Sequence, residues 1–98
     1  MGIAQMIQPK VYRSLPAAGD MDEVVFDGVA VSTTIINSGD DVYVYLNSTS
    51  EAALWLEADT SVSFQRGDMH LTSIVVNNGY SGASQSADVT IICGLVPA

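Results

Sequence analysis

The sequence predicts a single all-β domain, a compact β-sandwich of the jelly-roll type with about eight short antiparallel strands. Short runs rich in Val, Ile, Thr and Tyr alternate along the chain with Gly, Asp, Asn and Ser at turn positions. No long stretch repeats apolar residues at the spacing of three and four that an amphipathic helix needs. The 98 residues suffice for one domain. Many short, evenly spaced strands without helices are typical of sandwiches and barrels.

Turn residues set the bounds of each predicted strand. The first strand ends at Pro16, the second at Asp27 and Gly28, and the third runs into the Ser-Gly-Asp turn at 38–40. The eight predicted strands cover residues 11–15, 23–26, 29–37, 42–47, 53–57, 61–64, 69–76 and 88–95.

Two of these strands show a clear difference between their faces. In residues 42–46, Val and Leu alternate with Tyr43 and Tyr45, so both tyrosines are expected on the opposite face from the core. In the last strand, Cys93 belongs to the apolar inward set, whereas Ile92 points the other way. A lone thiol in such a position packs as a small hydrophobe. Trp55 is expected to pack in the core, and the alternative is an exposed face that an oligomer covers.

The chain divides into an N-terminal arm and the sandwich. Residues 1–20 contain Pro9 and Pro16 and are predicted to form an extended arm, which leaves room for one edge strand; residues 21–98 form the β-sandwich domain. A long loop of small residues, 77–87, precedes the last strand, and Tyr80 within it is a candidate contact residue.

Composition and charge restrict the partners. The net charge is −8, and the only basic residues are Lys10, Arg13 and Arg66. Nucleic acid and anionic membranes are therefore not expected as partners, since both require clustered Lys and Arg. Hydrophobic residues make up 48% and charged residues 14%, against about 25% charged in a typical domain. The surface is therefore expected to be covered by Ser, Thr, Asn and Gly and also, in part, by an assembly. With no signal peptide recognisable, synthesis in a cytoplasm is expected.

Residues suited to catalysis or metal binding are few. The chain has one His, His70, and one Cys, Cys93, whereas a zinc site requires about four such ligands. A thiol on a core face is inert. The short acidic clusters at 20–23 and 40–41 are typical of turns rather than of calcium loops. We therefore expect a non-enzymatic protein without metal or cofactor. A sugar-processing or metal-dependent β-barrel enzyme is the alternative that a single His disfavours.

The tripeptide Arg66-Gly67-Asp68 matches the motif that integrins recognise. It lies between two predicted strands, where Gly67 can supply a positive φ and Asp68 can bond to its own backbone. It is interpreted as a hairpin turn rather than an adhesion motif.

Several stretches occur together in an order that resembles a known class of protein. They are "IINSGDD", "VYVYLN", "LWLEADTSVSF", "GDMHLTSIVV" and "ADVTIICGL". Together they resemble the small β-sandwich domains of tailed-bacteriophage virion proteins, particularly capsid decoration (cement) proteins. The resemblance implies a structural protein that stabilises the capsid as a homotrimer or homodimer. Its partner would be the major capsid protein on the outer surface of the virion, after synthesis in the host cytoplasm.

The resemblance also suggests contact residues. The arm would meet the capsid through Pro9, Lys10, Val11, Tyr12 and Arg13, and oligomer or ligand contacts would involve Tyr43, Tyr45 and Tyr80. The alternative within the same context is a receptor-binding, tail-fibre or baseplate module that recognises a host surface ligand.

Overall fold

The computed structural model describes residues 7–47, 53–65, 71–78 and 86–97, and these form an antiparallel all-β structure. The predicted fold class is confirmed. The strands are β1 (Gln8–Ser14), β2 (Asp20–Asn37), β3 (Val42–Leu46), β4 (Leu54–Leu56), β5 (Thr60–Gln65), β6 (Leu71–Asn78) and β7 (Val89–Val96).

The strand β2 is 18 residues long and replaces two strands that the sequence predicted separately. The expected turn at Asp27 and Gly28 is wrong. A Cβ at position 28 would overlap the backbone carbonyl oxygen of Val96, so glycine lets β2 pass close to β7. The pairing of β2 with β6 also shifts register between Val25 and Ala30. Such an irregularity allows a strand to change partners without a turn.

Because β2 has two halves with different neighbours, the strands form two layers. The first half pairs with β6, and β3 and β4 follow beyond it. We call this the front layer. The second half pairs with β7 on one side and β5 on the other, and β1 lies beyond β7. We call this the back layer. The two layers enclose one core.

Apolar side chains from both layers fill the space between them. Cys93 is buried among them, as predicted, and the tyrosines of β3 lie on the side away from the core. The core residues that are fully buried and largest include Ile35, Val42, Val44, Leu71, Ile74, Val76, Val89, Ile91 and Leu95. Close packing of β-branched residues from facing sheets is what stabilises a sandwich of this kind.

The structure also locates the predicted arm, loop and turn. Part of the predicted arm forms β1, which pairs with β7 along its length. Residues 66–70, with Arg66, Gly67, Asp68 and His70, lie outside the described residues, as does Tyr80. The flanking strands β5 and β6 pair with different halves of β2 and not with each other.

Candidate binding surfaces

The outer side of the front layer carries exposed aromatic residues in one cross-strand row. Met21 pairs with Asn77, Asn77 with Tyr43, and Tyr43 with Trp55. Residues opposite each other in adjacent strands project from the same side of a sheet. The rings of Tyr43 and Trp55 meet edge to face, with centroids 4.9 Å apart and an interplanar angle of 73°. We call the outer side chains of Met21, Tyr43, Tyr45 and Trp55 the aromatic face.

The residues of the aromatic face retain access to solvent. The exposed fraction is 58% for Met21, 36% for Tyr43 and 41% for Trp55. The expectation that Trp55 packs in the core is wrong. In the short strand β4 it is Leu56 that is buried, so Trp55 in the adjacent position points outward. The outward placement of Tyr43 and Tyr45 agrees with the alternation in the sequence.

Carboxylates border the aromatic face. Glu23 pairs with Val75, which in turn pairs with Tyr45. Asp41 directly precedes β3 and Glu57 directly follows β4. The Asp41 carboxylate accepts a hydrogen bond from the backbone N–H of Ala58 at 2.7 Å.

The two basic residues within the described ranges lie elsewhere. Lys10 and Arg13 both belong to β1 in the back layer. The front layer therefore presents aromatic rings with acidic groups around them.

The outer side of the back layer is different in character. One row crosses four strands through Val11, Ile92, Thr34 and Ser63. The exposed fractions of Val11 and Ile92 are 64% and 44%. The Thr34 and Ser63 hydroxyls are hydrogen-bonded at 3.0 Å.

The next row of the back layer runs from Arg13 at the edge through Thr90 and Ile36 to Ser61. An oxygen of Asp88 lies 2.8 Å from a guanidinium nitrogen of Arg13, so the two charges offset each other. We call these two rows, from Val11 to Ser63 and from Arg13 to Ser61, the neutral face.

The β1 residues predicted to contact a capsid mostly have partners within the chain. The Lys10 ammonium lies 3.8 Å from a carboxylate oxygen of Asp27. The Tyr12 ring stacks on Phe26 with centroids 5.4 Å apart. Pro9 and Val11 are exposed on the edge strand. Proline at an edge strand limits pairing with a further strand, because it has no N–H to donate.

A depression of about 210 Å³ lies at one end of the sandwich, lined by Gln8, Lys10, Asp27, Leu95, Val96 and Pro97. Within the described ranges, no three His, Cys, Asp or Glu side chains are grouped to hold a metal ion. Burial raises the pKa of the Cys93 thiol, and a hydrogen bond with Thr33 partly opposes that rise. The described residues contain no helix long and apolar enough to cross a membrane.

Comparison with solved structures relates this architecture to known folds. The Cupin_2 domain of an XRE family transcriptional regulator from Enterobacter cloacae has a TM-score of 0.60 at 14% identity, covering 92% of this chain and 97% of that one. A designed double-stranded β-helix, solved by NMR, has a TM-score of 0.57 at 15% identity, with coverage of 86% and 97%. The fold is a jelly roll of the double-stranded β-helix type. A cupin superfamily protein from Desulfitobacterium hafniense has a TM-score of 0.58 at 12% identity, covering 97% of this chain and 74% of that one.

These similarities overturn the resemblance to phage virion proteins. The neighbours named above are cupin and double-stranded β-helix proteins, not capsid proteins, so both the decoration-protein function and the receptor-binding or tail-fibre alternative are wrong. The motifs behind the resemblance are turns and apolar alternation, which a cupin-like jelly roll requires equally. No protein-family model and no curated protein matches the sequence.

Sequence reasoning missed most of the surface residues that the structure brings together. Met21 and Ile92 were not among the predicted contacts, and for Trp55 core packing was preferred, whereas Val11, Tyr43 and Tyr45 were predicted contacts. The alternation around Ile92 indicates its outward position. The proximity of Tyr43 to Trp55 depends on the β3–β4 register, which local alternation does not specify.

Proposed function

We propose that this chain is a non-catalytic protein-interaction module that associates with a second copy of itself through the neutral face. The observation that carries the proposal is the pair Val11 and Ile92. These side chains are opposite each other in β1 and β7, both are exposed, and neither has a charged neighbour in its row.

Electrostatics favours this face for self-association. Two copies of a chain with a net charge of −8 repel each other. The repulsion is smallest when the contact surface contains no unpaired carboxylate. In the neutral face the only charged pair is Arg13 with Asp88, and it has no net charge. The low share of charged residues, 14%, also fits a surface that is partly covered.

The size of the neutral face indicates a reversible dimer. The two rows span about 19 Å across four strands and about 13 Å along them, which is about 250 Å² per protomer. Stable interfaces bury about 800 Å² per partner. We therefore expect a concentration-dependent dimer with two-fold symmetry, in which the same patch meets itself.

A role without catalysis is supported by the interior. The space between the layers is occupied by packed apolar side chains. The one thiol is buried with a raised pKa, which lowers the population of the reactive thiolate. One structural neighbour is by its description a domain of a transcriptional regulator, so the fold occurs in a protein with a regulatory role. The acidic charge disfavours nucleic acid and anionic membranes as direct partners of this chain.

The test is sedimentation velocity across a range of protein concentrations with a matched pair of variants. Val11 and Val25 are the same residue with nearly equal exposure, 64% and 63%, but they lie on opposite layers. We expect the wild type to shift from 10.3 kDa toward twice that mass as concentration rises. Val11→Glu is expected to remain a monomer, because it places a carboxylate on both sides of the contact. Val25→Glu is expected to dimerise like the wild type.

Two results would reject self-association through this face. One is a wild type that stays monomeric up to millimolar concentration. The other is a dimer that Val25→Glu disrupts and Val11→Glu does not, which would place the contact on the front layer.

A further inference from the structure

We propose that the aromatic face of the front layer is a binding site for a basic polypeptide segment, held by cation–π contacts with Tyr43 and Trp55 and by the surrounding carboxylates. This site is on the layer opposite the neutral face. It does not depend on self-association.

The geometry of the aromatic pair suits a cationic side chain. A cation is attracted to an aromatic ring when it lies within about 6 Å of the ring centroid, and Trp is the most favourable ring. The centroids of Tyr43 and Trp55 are 4.9 Å apart, so one ammonium or guanidinium group can lie within that distance of both. Tyr43 and Trp55 are each at least a third exposed as residues, so a ligand can reach them from solvent.

The charges around the rings complement a positive ligand. Glu23, Asp41 and Glu57 border the aromatic face. The contact between Asp41 and the Ala58 N–H keeps that carboxylate at the end of the β3–β4 pair. Within the described ranges the basic residues are in β1 of the other layer, where Lys10 faces Asp27 and Arg13 faces Asp88.

The spacing favours an extended peptide over a small amine. Glu23 is on β2 and Glu57 follows β4, three strand spacings away, which is about 14 Å. Side chains four residues apart in an extended peptide are separated by about 13 Å. One segment with several Lys or Arg residues can reach both borders and the rings between them, whereas a single amine cannot. A second copy of this acidic chain is disfavoured here, because it would bring further carboxylates to the same face.

The probe is a fluorescein-labelled peptide of eight lysines, with binding followed by fluorescence anisotropy at low ionic strength. Trp55 is the only tryptophan, so its emission reports contact at the site directly. We expect saturable binding that weakens with added salt, together with a change in Trp55 emission. A peptide of eight glutamates is expected not to bind.

Four variants separate a defined site from general attraction to an acidic protein, because none of them changes the net charge. Trp55→Leu keeps an apolar side chain but removes the ring, and we expect it to weaken binding two- to fivefold. The double variant Tyr43→Leu/Trp55→Leu is expected to weaken binding at least fivefold. Ile92→Leu, on the neutral face, is expected to bind as the wild type does, and Trp55→Phe is expected to retain most of the affinity.

Equal binding by the wild type and the double Leu variant would overturn the proposal, because attraction would then arise from net charge alone. Binding that Trp55→Leu retains and added salt does not weaken would also overturn it, since the contact would then be apolar. The far-UV circular dichroism spectrum of each variant is recorded first, so that loss of binding is not confused with loss of fold.

Discussion

Replacement of Asn37 by alanine tests how the turn after β2 is held to the end of β4. The residue is 1% exposed. Its Nδ2 donates to the backbone carbonyl of Asp40 at 2.9 Å and to those of Leu56 and Glu57 at 3.1 Å. Its Oδ1 accepts the N–H of Gly39 at 3.0 Å. One side chain therefore joins the turn after β2 to the end of β4, which lies 19 to 20 residues further along the chain.

The expected loss of stability follows from these contacts. Two N–H hydrogens and one accepting oxygen amount to about three hydrogen bonds, each with a net value of about 1 kcal/mol. The variant also leaves the buried carbonyl of Leu56 without this donor, which adds a desolvation cost. We expect Asn37→Ala to lower the free energy of unfolding by about 2–4 kcal/mol. That is a large part of the roughly 5–15 kcal/mol typical of small domains.

The assay is urea denaturation followed by the emission of Trp55. With a denaturant dependence of about 1.5 kcal/mol per molar urea, the midpoint is expected to fall by about 2 M. Asn77→Ala is the matched control, since Asn77 lies on the half-exposed outer side of β6, and its effect is expected to stay within about 0.5 kcal/mol. Asn37→Asp should be at least as destabilised at pH 7, because its carboxylate would face three carbonyl oxygens.

Equal midpoints for Asn37→Ala and Asn77→Ala would refute this reasoning. They would mean that water replaces the amide at position 37 at no cost, so that the side chain does not hold the two loops together.

Three further predictions concern single residues. Gly28→Ala is expected to lower the free energy of unfolding by about 1–3 kcal/mol in urea denaturation, because its Cβ would overlap the carbonyl of Val96. For Gly19→Ala, the Cβ meets nothing within 4 Å, so only the strain of the φ of 85° should count, about 1–2 kcal/mol. Burial raises the folded-state pKa of Cys93 above its ordinary 9.0, so its contribution to stability is complete below pH 9.0 and is lost as pH rises through the folded value. Cys93→Ala should remove that part of the alkaline decline in stability. An unchanged decline would show that Cys93 is not its source. Arg13→Ala should lower the free energy of unfolding by less than about 1 kcal/mol, because its ion pair with Asp88 is solvent-exposed. A larger loss would show that the pairing of β1 with β7 depends on this ion pair.

The failed resemblance shows the limit of motif reasoning in a β protein. Alternating apolar residues and Gly- or Asp-marked turns specify strands and their inward faces. Every jelly roll needs the same features, whatever its function. The stretches from "IINSGDD" to "ADVTIICGL" therefore pointed to the correct fold class and to the wrong class of protein.

Apolar alternation and turn residues alone predicted much of the fold. The alternation in β3 and β7 correctly placed the tyrosines outward and Cys93 inward, because side chains in a strand alternate between two faces. Turn residues correctly located the ends of most strands. The net charge and the single histidine were equally readable from the sequence, and they bear on any proposal about partners.

Only the tertiary structure decided which strands are neighbours and therefore which surfaces exist. The continuity of β2 depends on the passage of Gly28 past Val96, a contact across 68 residues. The exposure of Trp55 and its pairing with Tyr43 depend on a β3–β4 register of three residue pairs, too short for alternation to specify. The aromatic face and the neutral face are separate because the two halves of β2 belong to different layers. Long-range pairing sets these features, because the same alternation is compatible with many strand orders.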